Sequence, residues 1–438
     1  MRKILLGTTA VVGAVVMGST GAWAQAADPF RAAGPAMMSH RDLEVRLGGF
    51  FRFYYSNTNQ EYTNTASGNL GKSDFSEETE IHVVANGKAA NGLRYGVAVE
   101  IQNDNFRQSG TVATGGANSN TKTQLDLDEA WGYVAGEFGQ LRFGDEDSVS
   151  ALMATGFIQN FASGGLDGDF YDSLYGQGNP SLNQSADSGD NTKIIYMSPQ
   201  FAGFDFGASF AFNAGEGPQS GCGSNAASSF CDRSVSVPGG NLRRRNEVNA
   251  VVRYRGSFSG VGVGAHVGYF GADVVKNTTG ISGERVDLLQ AGAQLSAYGF
   301  LVGGNFLYGR GNAGFGPRAD VAGDNKKVNS LMFGASYTFQ AFTVGANWID
   351  ARSPGNQSVN AATGAALTGA RQDTGFNVGA TYRIAPGIEY IAEYTHLERS
   401  EGGYNFATGA ANAATAANRR AGNNADIDVF LTGFRFAF

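Results

Sequence analysis

From residue 44 onward the chain alternates between apolar and polar positions. Val45, Leu47, Gly49, Phe51, Phe53 and Tyr55 are interleaved with Arg46, Gly48, Phe50, Arg52 and Tyr54. A period of two predicts a strand with two unlike faces. The pattern returns as Ile81, Val83 and Ala85 against Glu78, Glu80 and His82. It returns again as Leu93, Tyr95, Val97, Val99 and Ile101 against Arg94, Gly96, Ala98, Glu100 and Gln102. Carried to the end, it predicts sixteen strands. They fall at about 45–55, 75–85, 93–102, 124–135, 140–144, 191–198, 203–212, 246–255, 261–270, 286–296, 300–309, 328–339, 342–349, 375–384, 388–395 and 426–438. Helical periodicity is almost absent outside the N-terminus.

The connections alternate in length as well. Short ones are 86–92, 136–139, 199–202, 256–260, 297–299, 340–341 and 385–387. Long ones are 56–74, 103–123, 145–190, 213–245, 271–285, 310–327, 350–374 and 396–425. Successive turns of an up-and-down sheet lie at opposite ends, so all long loops fall at one end and all tight turns at the other. This is the layout of an outer-membrane barrel with an even strand number. Closure of the last strand on the first is expected, because an open edge in lipid leaves backbone groups unpaired. One face of each strand suits lipid: Phe300, Val302, Phe306 and Tyr308; Phe342, Val344, Ala346 and Trp348; Phe376, Val378, Ala380 and Tyr382; Phe430, Phe434, Phe436 and Phe438. Tyr55, Trp131, Tyr133, Tyr269, Tyr308, Trp348, Tyr382, Tyr394 and Phe438 stand at strand ends, as interfacial girdles require. A soluble sandwich would also alternate, but it does not explain the loop lengths.

The N-terminus bears on compartment. Met1-Arg2-Lys3 is basic, Ile4 to Met17 is apolar apart from two threonines, and small residues precede Ala24. This predicts a secretory signal peptide over 1–24, with a cut after Ala24 or Ala26. The apolar run is shorter than the ~20 residues of a spanning helix. Residues 25–43 are then a periplasmic lead and 44–438 the barrel domain. The 438 residues carry a formal net charge of −7 and 64 glycines. That charge gives no electrostatic case for nucleic acid.

Three segments carry a resemblance: Leu47-Gly48-Gly49-Phe50-Phe51-Arg52-Phe53, Asp128-Glu129-Ala130-Trp131-Gly132-Tyr133-Val134 continuing through Glu137 to Gly144, and Tyr196-Met197-Ser198-Pro199-Gln200-Phe201-Ala202-Gly203-Phe204. With the final Phe438, their order and spacing make the chain similar to the general bacterial porins of the Gram-negative type. The resemblance spans nearly the whole mature chain. It implies a sixteen-stranded homotrimeric diffusion channel in the outer membrane, whose third long loop folds into the lumen. It also implies that Phe438 is an assembly signal read by the barrel-assembly machinery, with outer-membrane lipid and lipopolysaccharide as surroundings.

Sixteen strands enclose an aqueous channel, so candidate chemistry lies where it narrows. The third long connection, 145–190, contains Asp145, Glu146, Asp147, Asp167, Asp169, Asp172, Asp187 and Asp190 and neither Lys nor Arg. Its Phe157, Ile158, Phe161, Phe170 and Tyr171 suit pinning to a wall. Parity turns Arg46, Arg52, Arg94, Arg142, Arg253 and Arg435 inward, with Glu78, Glu80 and His82 as partners for Arg46 or Arg52. Charged rings and rows set permeant selectivity, and the expected preference is mildly cationic. Cys222 and Cys231, the only cysteines, lie in one long loop of an exported chain, which suits a loop disulfide. A metal pair there lacks a nearby His, and no metal or cofactor is expected. The four histidines are far apart and no catalytic triad is placed at the wall, so an enzyme is not expected. A substrate-specific porin is the nearer alternative, and a barrel enzyme or adhesin the more distant ones.

Overall fold

The computed structural model describes residues 43–61, 64–65, 68–69, 71–104, 126–174, 182–215, 242–276, 282–321, 324–358, 366–412 and 422–438. Sixteen strands close into one antiparallel barrel. They are β1 Glu44–Gln60, β2 Ser73–Lys88, β3 Arg94–Asp104, β4 Asp126–Gly136, β5 Gly139–Asp145, β6 Thr192–Met197, β7 Phe204–Asn213 and β8 Arg243–Phe258. The second half comprises β9 Val261–Val275, β10 Val286–Ala297, β11 Phe300–Arg310, β12 Val328–Phe339, β13 Phe342–Ser353, β14 Arg371–Ala385, β15 Ile388–Glu401 and β16 Asn424–Ala437. Each pairs with its chain neighbours, and β16 pairs with β1 from Phe50↔Ala437 to Gln60↔Ile427. Two further backbone bonds of 3.1 Å, Gly49 N to Phe438 O and Phe438 N to Gly49 O, finish the seam. The expected signal peptide, most of the expected lead, and Cys222 and Cys231 lie outside the described residues.

All sixteen expected strands are present, but many run further at the long-loop end. β13 reaches Ser353, β14 starts at Arg371, β15 reaches Glu401 and β9 reaches Val275. The hydropathic alternation fades there because those rungs rise beyond lipid. The ladder itself continues, since its hydrogen bonds need only a paired neighbour. Thus Arg371 still stands opposite Glu401.

Lipid-type side chains lie outside. Phe300 and Val302 are about half exposed while Leu301 between them is 5% exposed. At the turn end, a girdle forms from ring pairs Phe300–Tyr337, Phe342–Tyr382, Tyr390–Phe434 and Phe204–Tyr254, with centroids 4.4–5.2 Å apart. At the loop end, Phe53–Phe75, Phe306–Tyr308, Phe333–Trp348 and Phe376–Tyr394 form the other. Trp131 and Tyr133 correct the sequence expectation, because both face the lumen. The β3–β4 register jumps from Ile101↔Leu127 to Val99↔Ala130. The extra residue is a bulge, which reverses the facing of everything after it. Leu127 remains outside, and Trp131, opposite Ala98, turns inside and is 5% exposed.

The apolar core is inside the barrel as well. Phe157, Leu166, Phe170 and Leu182 from the third long connection pack with Phe270, Leu288, Leu307, Met332, Ile349, Leu397 and Ile427 from the wall. The inner face of β9–β16 is therefore partly apolar, where that segment covers it.

Candidate functional site: the inner loop and the passage beside it

Between β5 and β6 the chain starts with a short helix, Val149–Leu152, whose Ser148 hydroxyl accepts the Ser150 N–H at 3.2 Å. Two 3-10 turns follow, Gly165–Asp167 and Asp169–Ser173. The segment runs along the inner wall and bonds to it at nearly every step. Thr155 N–H donates to His266 Nδ1 (3.1 Å) and Gly156 N–H to Gln294 (2.9 Å). Asn347 donates to Ile158 O and accepts from Leu166 N–H, both at 3.2 Å. Ala162 N–H donates to Thr381 Oγ1 at 2.8 Å, and the Ser163 hydroxyl to Glu393 at 2.7 Å. At the far side Arg52 on β1 donates to Asp169 at 3.1 Å. The returning limb is held by Ser330 donating to Leu182 O (3.0 Å) and Ala186 N–H donating to Gln290 (3.2 Å).

Wall glycines make this contact possible. A Cβ at Gly292 would stand 2.0 Å from Thr155 O, at Gly334 2.7 Å from Ile158 Cβ, at Gly345 2.3 Å from the Phe161 ring, and at Gly379 2.6 Å from Ala162 Cβ. Any larger residue would occupy the space of the loop. Inward amides and a hydroxyl beside them bind it: Gln294, Asn305, Asn347 and Thr381. In the sequence Gly303, Gly345 and Gly379 fall opposite the lipid faces of their strands. The signal was there: small and amide residues together on the inward face of consecutive strands.

Beside the loop a void of about 700 Å³ remains against β1–β4 and continues to the turn end. Glu78, Glu80, Glu100 and Glu129 line it from the wall. Glu146, Asp147, Asp167 and Asp187 line it from the loop, and Glu389 from the turn end. Among the described residues the guanidiniums reaching it are those of Arg52 and Arg435. Both are engaged: Arg52 donates to Glu78 at 2.8 Å besides Asp169, and Arg435 Nε donates to Glu389 at 3.1 Å.

The other expected residues are spread more widely. Asp145 ends β5, pairs in register with Ala130 and accepts from the Thr192 hydroxyl, away from the void. Asp172 sits half-buried on the second 3-10 turn. Arg142 is buried, donates to Glu146 at 2.6 Å and lies 4.2 Å over the Trp131 ring. Arg253 makes two bonds to Asp205, of 3.0 and 2.6 Å. Arg46 bonds Glu44 at 2.7 Å, and Arg94 is exposed at the turn end. The basic residues therefore do not line up as one free row opposite an acidic loop. Closing the barrel places wall carboxylates, Glu78 to Glu129, across from loop carboxylates. Arg52 is the partner found for Glu78, while His82 bonds Glu80.

Two loop acids are displaced in charge state. Burial lifts Asp167 to about 7, although Gln184 and Gln159 donate to it. Burial, with Asp187 and Asp190 close by, holds Asp147 well above the usual carboxylate range. Burial also acts on Asp187, but Lys193 and donation from Asp147 and Ser148 outweigh it, and Asp187 ends below that range.

A family model described as Gram-negative porin matches residues 8–403. Among solved structures, the anion-selective porin from Comamonas acidovorans superposes with a TM-score of 0.53 at 14% identity, covering 91% of this chain and 100% of that one. A mutant porin of Rh. blastica superposes with a TM-score of 0.50 at 15% identity, covering 90% of this chain and 100% of the other. At these identities the superpositions speak to fold. No curated protein matches the chain.

Proposed function

Because the chain belongs to the Gram-negative porin family and is a multi-pass outer-membrane β-barrel, we propose that it is a water-filled pore for ions and small hydrophilic solutes with a mild preference for cations, not an enzyme. The carrying observation is the lining of the passage, where nine carboxylic side chains face two guanidiniums that are already paired. Fixed charge at a narrow section raises the local concentration of the opposite ion. In a planar bilayer under a KCl gradient, the purified protein is expected to conduct with a cation-side reversal potential. An anion-side potential overturns the preference, and a silent membrane overturns the channel.

We assign the constriction to Glu146, Asp147, Asp167 and Asp169 with the wall acids opposite. Asp167 gives this a pH signature. With its pKa near 7, it is charged at pH 8 and mostly neutral at pH 6. Cation preference should therefore weaken as pH falls from 8 to 6, and Asp167→Asn should flatten that change. An unaltered profile in the variant places the titrating group elsewhere.

Assembly as a homotrimer through the barrel-assembly machinery, contact with lipopolysaccharide, and a Cys222–Cys231 bridge belong to the same reading. Phe438 supports the first. The residue is 65% exposed, and its backbone makes the last rung of the seam. Deleting Phe438 should sharply reduce membrane-inserted, heat-modifiable barrel; undiminished insertion rejects the role.

A second reading, a solute-selective pore, draws on Phe50, Tyr54, Trp131 and Tyr133, which all turn inward near the passage. Saturable, competable solute flux in liposomes would favour it over simple diffusion.

A further inference from the structure

We propose that Glu80, His82 and Glu100 form a binding site for a divalent metal ion of the zinc class on the wall of the passage. Glu80 and His82 are two apart on β2, so both side chains leave the same face. Glu100 on β3 stands directly opposite His82 in the ladder, where side chains are nearest. His82 Nε2 meets the Glu80 carboxylate and lies 3.8 Å from Glu100 Oε2. The three donor atoms all fall within 4.8 Å of one another. In a tetrahedral site with bonds of about 2.1 Å, ligand atoms stand about 3.4 Å apart. Small side-chain rotations on a fixed backbone would therefore close this trio around an ion.

The setting favours a cation. All three side chains line the void, so an ion reaches them through water. They are nonetheless largely enclosed, with side-chain exposures of 9–12%, and the Phe50 ring meets His82 edge-on at 6.2 Å. Two carboxylates drawn together in such a place repel each other, and a divalent ion offsets both. The imidazole nitrogen selects the class. Calcium and magnesium take oxygen donors, whereas zinc accepts one nitrogen and two oxygens and keeps an open position for water. Because the three donors line the void, a bound ion would remain open to exchange with the water of the passage. Bound metal would cancel wall charge where cations pass, a consequence that rests on the proposed channel reading; the binding itself does not.

The test uses purified full-length protein in detergent and in bilayers, with ZnCl2 as the probe. Equilibrium dialysis should show zinc binding that His82→Ala and Glu100→Gln each weaken by at least about tenfold, by analogy with the loss when even outer-shell partners are removed. Heat-modifiable migration confirms that each variant is a folded barrel. Zinc should also lower the K+ conductance of the native pore at concentrations that leave both variants unaffected. Unchanged zinc affinity in both folded variants overturns the site. Equal displacement of that zinc by CaCl2 overturns its class. His82-dependent binding with no effect on any current upholds the site and rejects the constriction reading.

Discussion

Replacing Asp167, Asp169 and Asp172 together by asparagine is expected to move the reversal potential toward the anion side. The three changes are unequal. Asp167 lines the passage itself, so its loss removes charge from the path at pH 8. Asp169 instead accepts from Arg52, which also bonds Glu78. Its neutralisation leaves that guanidinium with one carboxylate, adding positive character to the wall opposite. It also removes a charged hydrogen bond worth about 1.5–3 kcal/mol that ties the loop to β1. Asp172 is outside the lining and should contribute least. For a tenfold gradient the ideal limit is about 59 mV, and the shift should be a readable part of it. Neutralising Arg52 and Arg94 should move the potential the other way, almost entirely through Arg52, since Arg94 lies exposed at the turn end. A triple Asp variant with native conductance and native reversal potential would mean that the segment 146–191 does not form the constriction.

The second large effect should come from a residue with no charge. Gly345→Leu places a side chain where the Phe161 ring now lies, 2.3 Å from the position of its Cβ. Phe161 is 1% exposed and packs with Ile158, Ala162 and Leu301. Neither the strand nor the ring has room to yield, so the loop must move toward β1–β4, into the open passage. Overpacking of this kind costs about 1–3 kcal/mol, which a sixteen-stranded barrel should survive. The expected result is an inserted barrel with lower or unsteady single-channel conductance. Gly260→Leu, at a tight turn with nothing within 4 Å of its Cβ, serves as a steric control. Its positive φ of 83° adds local backbone strain but places no side chain in the lumen. Native conductance in Gly345→Leu would show that the loop does not depend on this wall.

Strand number, order and direction were legible from the chain because lipid enforces them. A barrel in a bilayer must hide its backbone polarity and present an apolar side chain at every second position. That rule writes itself into Phe300 to Tyr308 and Phe342 to Trp348 as plain alternation. Parity then placed Arg52, Glu78, Glu80, His82 and Arg253 inside, and 145–190 stood out as the longest connection and the third, where the family resemblance implies an inward loop. What alternation could not show is whatever breaks it or crosses strands. The extra residue in β4 turned Trp131 and Tyr133 inward, and no local signal separates a bulge from a regular rung. Strands running past the lipid lost their pattern at Arg371–Thr374 and His396–Glu401 while keeping their ladder. Above all, pairing is decided by register and by the loop's path through the lumen. Arg52 meets Asp169 from 117 residues away, Glu100 meets His82 across two strands, and Gly345 receives Phe161. These contacts depend on register or on the path of the loop, which alternation does not encode, so the sequence by itself determined the barrel and its inward faces, and only the tertiary structure decided which inward charges face the void and which are already spent on one another.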